Sequence, residues 1–129
     1  MKTKVYYLLI VLMSLTACQS QTKETAVLVP SQEFYQKINN TKVQLVDVRT
    51  PKEFSQGHLK NAQNIHLYDQ DFKQRINTLD KNQPVYVYCK AGSRSAEAVE
   101  IMKASGFKTI VELDGGADAW KEAGKPLEQ

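Results

Sequence analysis

The chain has 129 residues, enough for one domain with its own core. At 42% hydrophobic and 24% charged, with no biased tract, it is neither a disordered nor a fibrous sequence. The formal charge of +3 includes Lys2 and Lys4 in the first few residues; the rest is near neutral and gives no sign of a nucleic-acid binder, which favours a strongly basic face.

The first residues read as an export signal. Lys2 and Lys4 form a positive start, Val5 to Leu15 is a mostly apolar run, and the small residues Thr16 and Ala17 precede Cys18. The run is too short to span a bilayer as a helix, which takes about 20 residues. Leu15-Thr16-Ala17-Cys18 resembles the lipobox of bacterial lipoproteins, so residues 1–17 are expected to be removed and Cys18 to carry lipid. That reading is favoured over plain secretion. It implies a membrane-anchored lipoprotein of the bacterial cell envelope, facing the periplasm, with the choice of inner or outer membrane open. Residues 18–26 are then the lipidated cysteine and a polar tether. Only Cys18 and Cys89 are cysteines. With Cys18 lipidated, Cys89 is a lone thiol in an exported protein, and such thiols are candidate reactive groups.

From residue 27 to 129 the pattern is one α/β domain. Val27-Leu28-Val29 is a short apolar run, and Ser31 is placed to cap a helix bearing Phe34, Tyr35 and Ile38. Val43 to Val48 reads as a strand. Thr50, Pro51 and Glu53 form a capping box with proline at the first helical position, and that helix ends near Gly57. Asn64-Ile65 reads as another short strand. Asp69 to Leu79 aligns Phe72, Ile76 and Leu79 on one helical face. Pro84 to Tyr88 is β-rich and leads into Cys89. Ala98, Ile101, Met102 and Ser105 then fall at helical spacing, with Gly106 placed as the stop. Thr109 to Leu113 is the last strand. Gly115-Gly116 turns into a helix bearing Trp120, and Gly124 and Pro126 close it. Strands separated by helices predict a mostly parallel sheet covered on both faces. Ligands bind beyond the carboxyl ends of such strands, which is where Cys89 falls.

The loop reads Cys89-Lys90-Ala91-Gly92-Ser93-Arg94-Ser95. The following helix aims its free N–H groups and positive dipole end at the loop. Gly92 permits the tight turn that lines successive amides into an anion nest. Lys90 and Arg94 add positive charge, and no acid occurs from Lys81 to Ala96. Each feature favours a solvent-accessible thiolate at Cys89 over the thiol. Such a sulfur is a nucleophile, and the donors around it select an anionic substrate, with Arg94 offering its planar fork. Thiosulfate and organic thiosulfonates fit. Cys89 would take their outer sulfur as a persulfide and pass it to an external thiol or to cyanide in a second step. The plain alternative is a buried cysteine acting as a small hydrophobe.

These stretches resemble, in order, the rhodanese family of single-domain sulfurtransferases from about Val27 to Leu127. Asp47-Val48-Arg49, Glu53-Phe54 and Gly57-His58-Leu59 look like its first signature. The Cys89 to Ser95 segment looks like its catalytic loop, and Gly115-Gly116 with Trp120 like its final turn. The resemblance implies a five-stranded parallel sheet, a persulfide on Cys89, and Arg94 helping to bind the anion. It also implies that the backbone N–H groups of Lys90, Ala91, Gly92, Ser93, Arg94 and Ser95 hold the terminal sulfur. One departure is Asn61, where the family commonly has glycine. Four residues separate Cys89 from Arg94, whereas phosphatases sharing this fold carry five; the shorter loop favours sulfur transfer over phosphoester hydrolysis.

Other residues have simpler readings. Asp47 and Arg49 are expected to be structural, Arg49 and Glu53 to pair across the short turn, His58 to be a scaffold histidine, and Trp120 to pack in the core. With two isolated histidines and one free thiol, no metal or cofactor is expected. Two alternatives to the thiosulfate enzyme stay open: a protein-to-protein sulfur carrier, and a binding or scaffold module in which Cys89 is idle.

Overall fold

In the computed structural model, which describes residues 23–129, alternating apolar runs and helices build ten elements. The expected signal segment and Cys18 lie outside the described residues. In chain order the elements are β1 (Ala26–Val29), α1 (Ser31–Asn40), β2 (Gln44–Asp47), α2 (Pro51–Ser55), β3 (Gln63–Asn64), α3 (Phe72–Ile76), β4 (Val85–Tyr88), α4 (Ser93–Ala104), β5 (Ile110–Leu113) and α5 (Gly116–Glu122). The strands form one sheet in the order β1-β5-β4-β2-β3, and every pair is parallel. β4, the central strand, therefore ends between β2 and β5.

Period-two alternation sorts the core into two layers. Val85, Val87 and Cys89 face one side with Ile110, where they meet Phe72 and Ile76 of α3 and Ala98, Val99 and Met102 of α4. Tyr86, Tyr88, Val111 and Leu113 face the other side and meet Phe34 of α1 with Ala117 and Trp120 of α5. Phe34 packs edge-on against both Tyr86 and Trp120, at centroid distances of 5.5 and 6.3 Å. Trp120 is buried, and its indole N–H donates to the Pro126 carbonyl at 2.9 Å. Core packing, as expected, is its role.

Three local expectations are corrected. Ser31 is the first residue of α1 rather than its cap; Pro30 holds the cap position, and no side chain bonds there. The third helix is shorter than Asp69 to Leu79, because after Ile76 the chain tightens into i to i−3 bonds from Thr78 and Leu79, and the Thr78 hydroxyl donates to the Arg75 carbonyl at 2.6 Å. Strand β1 begins at Ala26, one residue into the expected tether, and Thr25 already accepts a bond from the Ile110 N–H at 2.8 Å. Asn61 has φ of +64°, alone among described non-glycine residues in the left-handed region. Asparagine tolerates that conformation better than most side chains, which accounts for its standing where glycine is usual.

Candidate active site

The end of β4 delivers Cys89 to the α4 face of the sheet. The next residues turn back at Gly92, which holds φ of +117° and serves as the N-cap of the twelve-residue α4. The Gly92 N–H donates to Cys89 Sγ at 3.0 Å. Ser95, in the first turn of α4, places its Oγ 3.4 Å from the same sulfur. The amides of Ser93, Arg94 and Ser95 open the helix and have no acceptor four residues back, so the dipole end of α4 lies at the sulfur.

Cys89 is 1% exposed, which corrects the expectation of a solvent-open thiolate. It belongs to the buried core cluster that also holds Val48, Ile65 and Leu67. The sulfur is thus both buried and addressed by an amide. Lys90, Ala91 and Ser93 are exposed on the loop, Gly92 and Arg94 are half-buried, and Ser95 is buried.

The cations are differently engaged than the loop sequence implies. The Arg94 fork closes on Glu53, with Nη1 donating to Oε1 at 2.7 Å and Nη2 to Oε2 at 2.9 Å. Glu53 does not pair with Arg49 as expected. Instead it completes the capping box of α2, accepting from the Thr50 N–H while the Thr50 hydroxyl accepts from the Glu53 N–H. The Arg94 guanidinium outweighs partial burial and, with help from Thr50, holds the Glu53 carboxyl at about 2, well below its ordinary value. Lys90 Nζ meets Asp118 of α5 at 2.8 Å. No acid stands near Cys89 in the sequence, but the fold supplies three: Glu53 and Asp118 on the loop's cations, and Glu112 of β5 behind Ser95. Glu112 Oε1 accepts from the Ser95 hydroxyl at 2.7 Å.

Arg49 pairs with Asp47, both buried. Arg49 Nη2 donates to Asp47 Oδ2 at 2.6 Å and to the Gly57 carbonyl at 2.8 Å. The guanidinium also lies 5.5 Å from the Tyr88 ring centroid. Tyr88 Oη accepts from the Leu59 N–H at 3.1 Å, and burial pushes its phenol above the ordinary range. These groups tie the β2 and β4 ends to the segment around Gly57, a structural role as expected. His58 stacks on Phe54 at 3.8 Å and its Nδ1 meets the Phe54 carbonyl at 3.0 Å, which makes it a scaffold residue. Among the described residues no cluster of three or more His, Cys, Asp or Glu has metal-holding geometry.

The Gly115-Gly116 turn presses α5 onto the loop. The Ala117 N–H donates to the Cys89 carbonyl at 2.8 Å and the Asp118 N–H to the Lys90 carbonyl at 2.9 Å. A Cβ on Gly116 would stand 2.5 Å from the Cys89 carbonyl oxygen. Glycine there permits the close approach that holds the loop backbone.

Glu53, Glu112 and Asp118 were not singled out as site residues by the loop sequence. Glu112 left one trace: it is a charged residue within the otherwise apolar Ile110 to Leu113 run, where charge is costly unless partnered.

Comparison with known proteins agrees with this geometry. A family described as "Rhodanese-like domain" matches residues 31–123. The protein YqhL of Bacillus subtilis is 42% identical over 79 residues, which is 61% of each chain and so less than two thirds of that relative's length. A protein of Vibrio cholerae named thiosulfate sulfurtransferase GlpE is 38% identical over 84 residues, 65% of this chain and 77% of its own. The crystal structure of a rhodanese-related protein from Thermoplasma volcanium superposes with a TM-score of 0.68 at 30% identity, covering 78% of this chain and 95% of its own. With its parallel five-stranded sheet, its cysteine loop and these matches together, the chain belongs to the rhodanese family.

Proposed function

We propose that the protein is a sulfurtransferase whose Cys89 carries the transferred sulfur as a persulfide. The observation that carries this reading is the position of Cys89 Sγ at the carboxyl end of the central strand, under the Gly92 N–H at 3.0 Å and at the N-terminus of α4. The Vibrio cholerae relative, named as a thiosulfate sulfurtransferase, supports it. In the first step the Cys89 thiolate attacks the outer sulfur of thiosulfate or a similar anionic donor. A Cys89–sulfur bond forms, the donor's S–S bond breaks, and sulfite leaves with the electron pair. In the second step an external thiolate or cyanide attacks the outer persulfide sulfur, and Cys89 leaves as thiolate. With the Arg94 fork closed on Glu53, the loop amides from Lys90 to Ser95 are assigned the larger share of anion binding, and Arg94 the holding of the loop against α2.

Mass spectrometry of the purified protein after thiosulfate tests this. Cys89 should gain one sulfur atom, cyanide should remove it, and Cys89→Ser should gain none. No adduct on the wild-type cysteine would sink the reading. It would favour instead a binding module with an idle Cys89, a reading that draws on the sulfur's 1% exposure. We also propose that Cys18 carries lipid and holds the domain at the membrane. Loss of membrane association in Cys18→Ser tests that separately.

A further inference from the structure

The alternation that puts Cys89 on the α4 face of β4 does the same for Glu112 on β5. Ile110 belongs to the α4 layer and Val111 and Leu113 to the opposite layer, so Glu112 points toward α4. Its strand neighbours, Leu28 on β1 and Val87 opposite on β4, are apolar. Among the described residues its carboxylate accepts one hydrogen bond, from Ser95. Ser95 Oγ also touches Cys89 Sγ at 3.4 Å and the Gly92 carbonyl at 3.1 Å. A hydroxyl has one proton to give. A carboxylate at 2.7 Å is the stronger acceptor than a neutral carbonyl at 3.1 Å, so the Ser95 proton goes to Glu112 and its lone pairs face the sulfur.

We propose that Ser95 links Cys89 to Glu112 as one proton-sharing unit, with Glu112 a positioning residue that acts on the nucleophile only through the Ser95 hydroxyl. The inference rests on Cys89 being the nucleophile of the function proposed above. In one state the Cys89 S–H donates to Ser95 Oγ and Ser95 donates to an ionised Glu112. In the other, the S–H bond has broken, Ser95 Oγ has taken that proton and passed its own to Glu112 Oε1, and the Ser95 O–H then returns toward the sulfur. One negative charge moves from carboxylate to sulfur. Nothing is oxidised or reduced, and no co-reactant is needed. The arrangement stores the thiol proton while Cys89 attacks, and returns it when Cys89 leaves as thiolate at the end of the second step. Burial raises the Glu112 carboxyl above its ordinary range; Ser95 opposes this, Asp114 adds to it, and Lys103 opposes it. Glu112 is thereby suited to hold a proton. The other ionisable groups around the sulfur among the described residues are Arg94 with its partner Glu53, Tyr68, and Lys90 with its partner Asp118.

The test is the pH profile of Cys89 alkylation by iodoacetamide, which needs no sulfur donor. Two coupled groups lose their protons in two steps that belong to the pair. Glu112→Gln keeps the side chain's shape and removes the proton acceptor and its charge. It should convert the profile to a single step whose midpoint lies at lower pH, giving about tenfold more thiolate below the wild-type midpoint, a one-unit move. With Ser95→Ala already present, the same glutamine substitution should move the midpoint by less than half as much. An unchanged profile in Glu112→Gln would overturn the inference. So would an equal shift with Ser95 absent, since that would be direct charge repulsion. Should thiosulfate fail to load Cys89 while the coupled profile persists, the proposed function falls and the proton link stands.

Discussion

Replacing Gly116 by alanine should loosen the whole Cys89 loop, and its size can be worked from the contacts. Gly116 has φ of +61°, a region that costs an L-residue about 1–2 kcal/mol. A new Cβ would also stand 2.5 Å from the Cys89 carbonyl oxygen and 2.6 Å from the Lys90 carbonyl group. Ordinary contact begins at 3.4 Å, so loop and helix must separate by about 0.9 Å. Both neighbours are backbone and cannot swing aside. That movement stretches the bonds from Ala117 and Asp118 to the Cys89 and Lys90 carbonyls, each worth about 1 kcal/mol. Gly124 supplies the control: its φ is +69°, yet nothing lies within 4 Å of its Cβ position. Gly124→Ala should therefore show the backbone cost alone, and Gly116→Ala should be less stable than it by about 2 kcal/mol. In thermal denaturation that difference reads as about 8–16 °C in Tm for a domain of this size. Sulfur loading of Cys89 should fall at least about tenfold, since displacements near 1 Å at a reacting centre cost up to about 100-fold. If Gly116→Ala melts with or above Gly124→Ala, the argument that this glycine holds the loop by close approach is wrong.

The Glu53–Arg94 pair makes stability depend on acid. The Glu53 carboxyl is held at about 2 against an ordinary 4.5, so its contribution is complete above pH 4.5 and is lost as pH falls through about 2. Urea titrations should find wild type more stable than Glu53→Gln by about 1–2 kcal/mol at pH 6, allowing for the pair's partial exposure, with the gap closing toward pH 2. A gap that is constant with pH would mean the pair is not its source. Tyr88→Phe strands the buried Leu59 N–H and should cost about 1–3 kcal/mol in the same assay, and a neutral substitution would remove that hydrogen bond from the account. Arg94→Ala should lower sulfur loading more than the loss in stability explains, because it frees the α4 start from α2; unchanged turnover would show that Arg94 has no part in placing the loop.

The α/β class and the position of Cys89 followed from local pattern. Short strand-forming runs, helical spacing from Ala98 to Ser105, and the Thr50-Pro51-Glu53 start each encode a structure within a few residues of themselves. The capping box appeared as expected because all its partners lie within one turn. For the charges of the Cys89 loop, expectations failed where the deciding partner was remote. Arg94 looked like an unengaged cation because Glu53, its partner, lies 41 residues earlier. Lys90 looked the same because Asp118 lies 28 residues later. The sulfur was expected at the surface, and it lies instead at 1% exposure within a core cluster that draws residues from β2, α3 and α4.

Sequence alone determined which residue is the nucleophile candidate, that it ends a strand, and that a glycine turn and a helix start follow it. These are short-range consequences of backbone geometry and residue type. Only the tertiary structure decided which charges meet that residue. The parallel order β5-β4-β2 brings Glu112 behind Ser95, while α2 and α5 carry Glu53 and Asp118 to the loop's cations. Charge acts through space, and distance along the chain does not measure it.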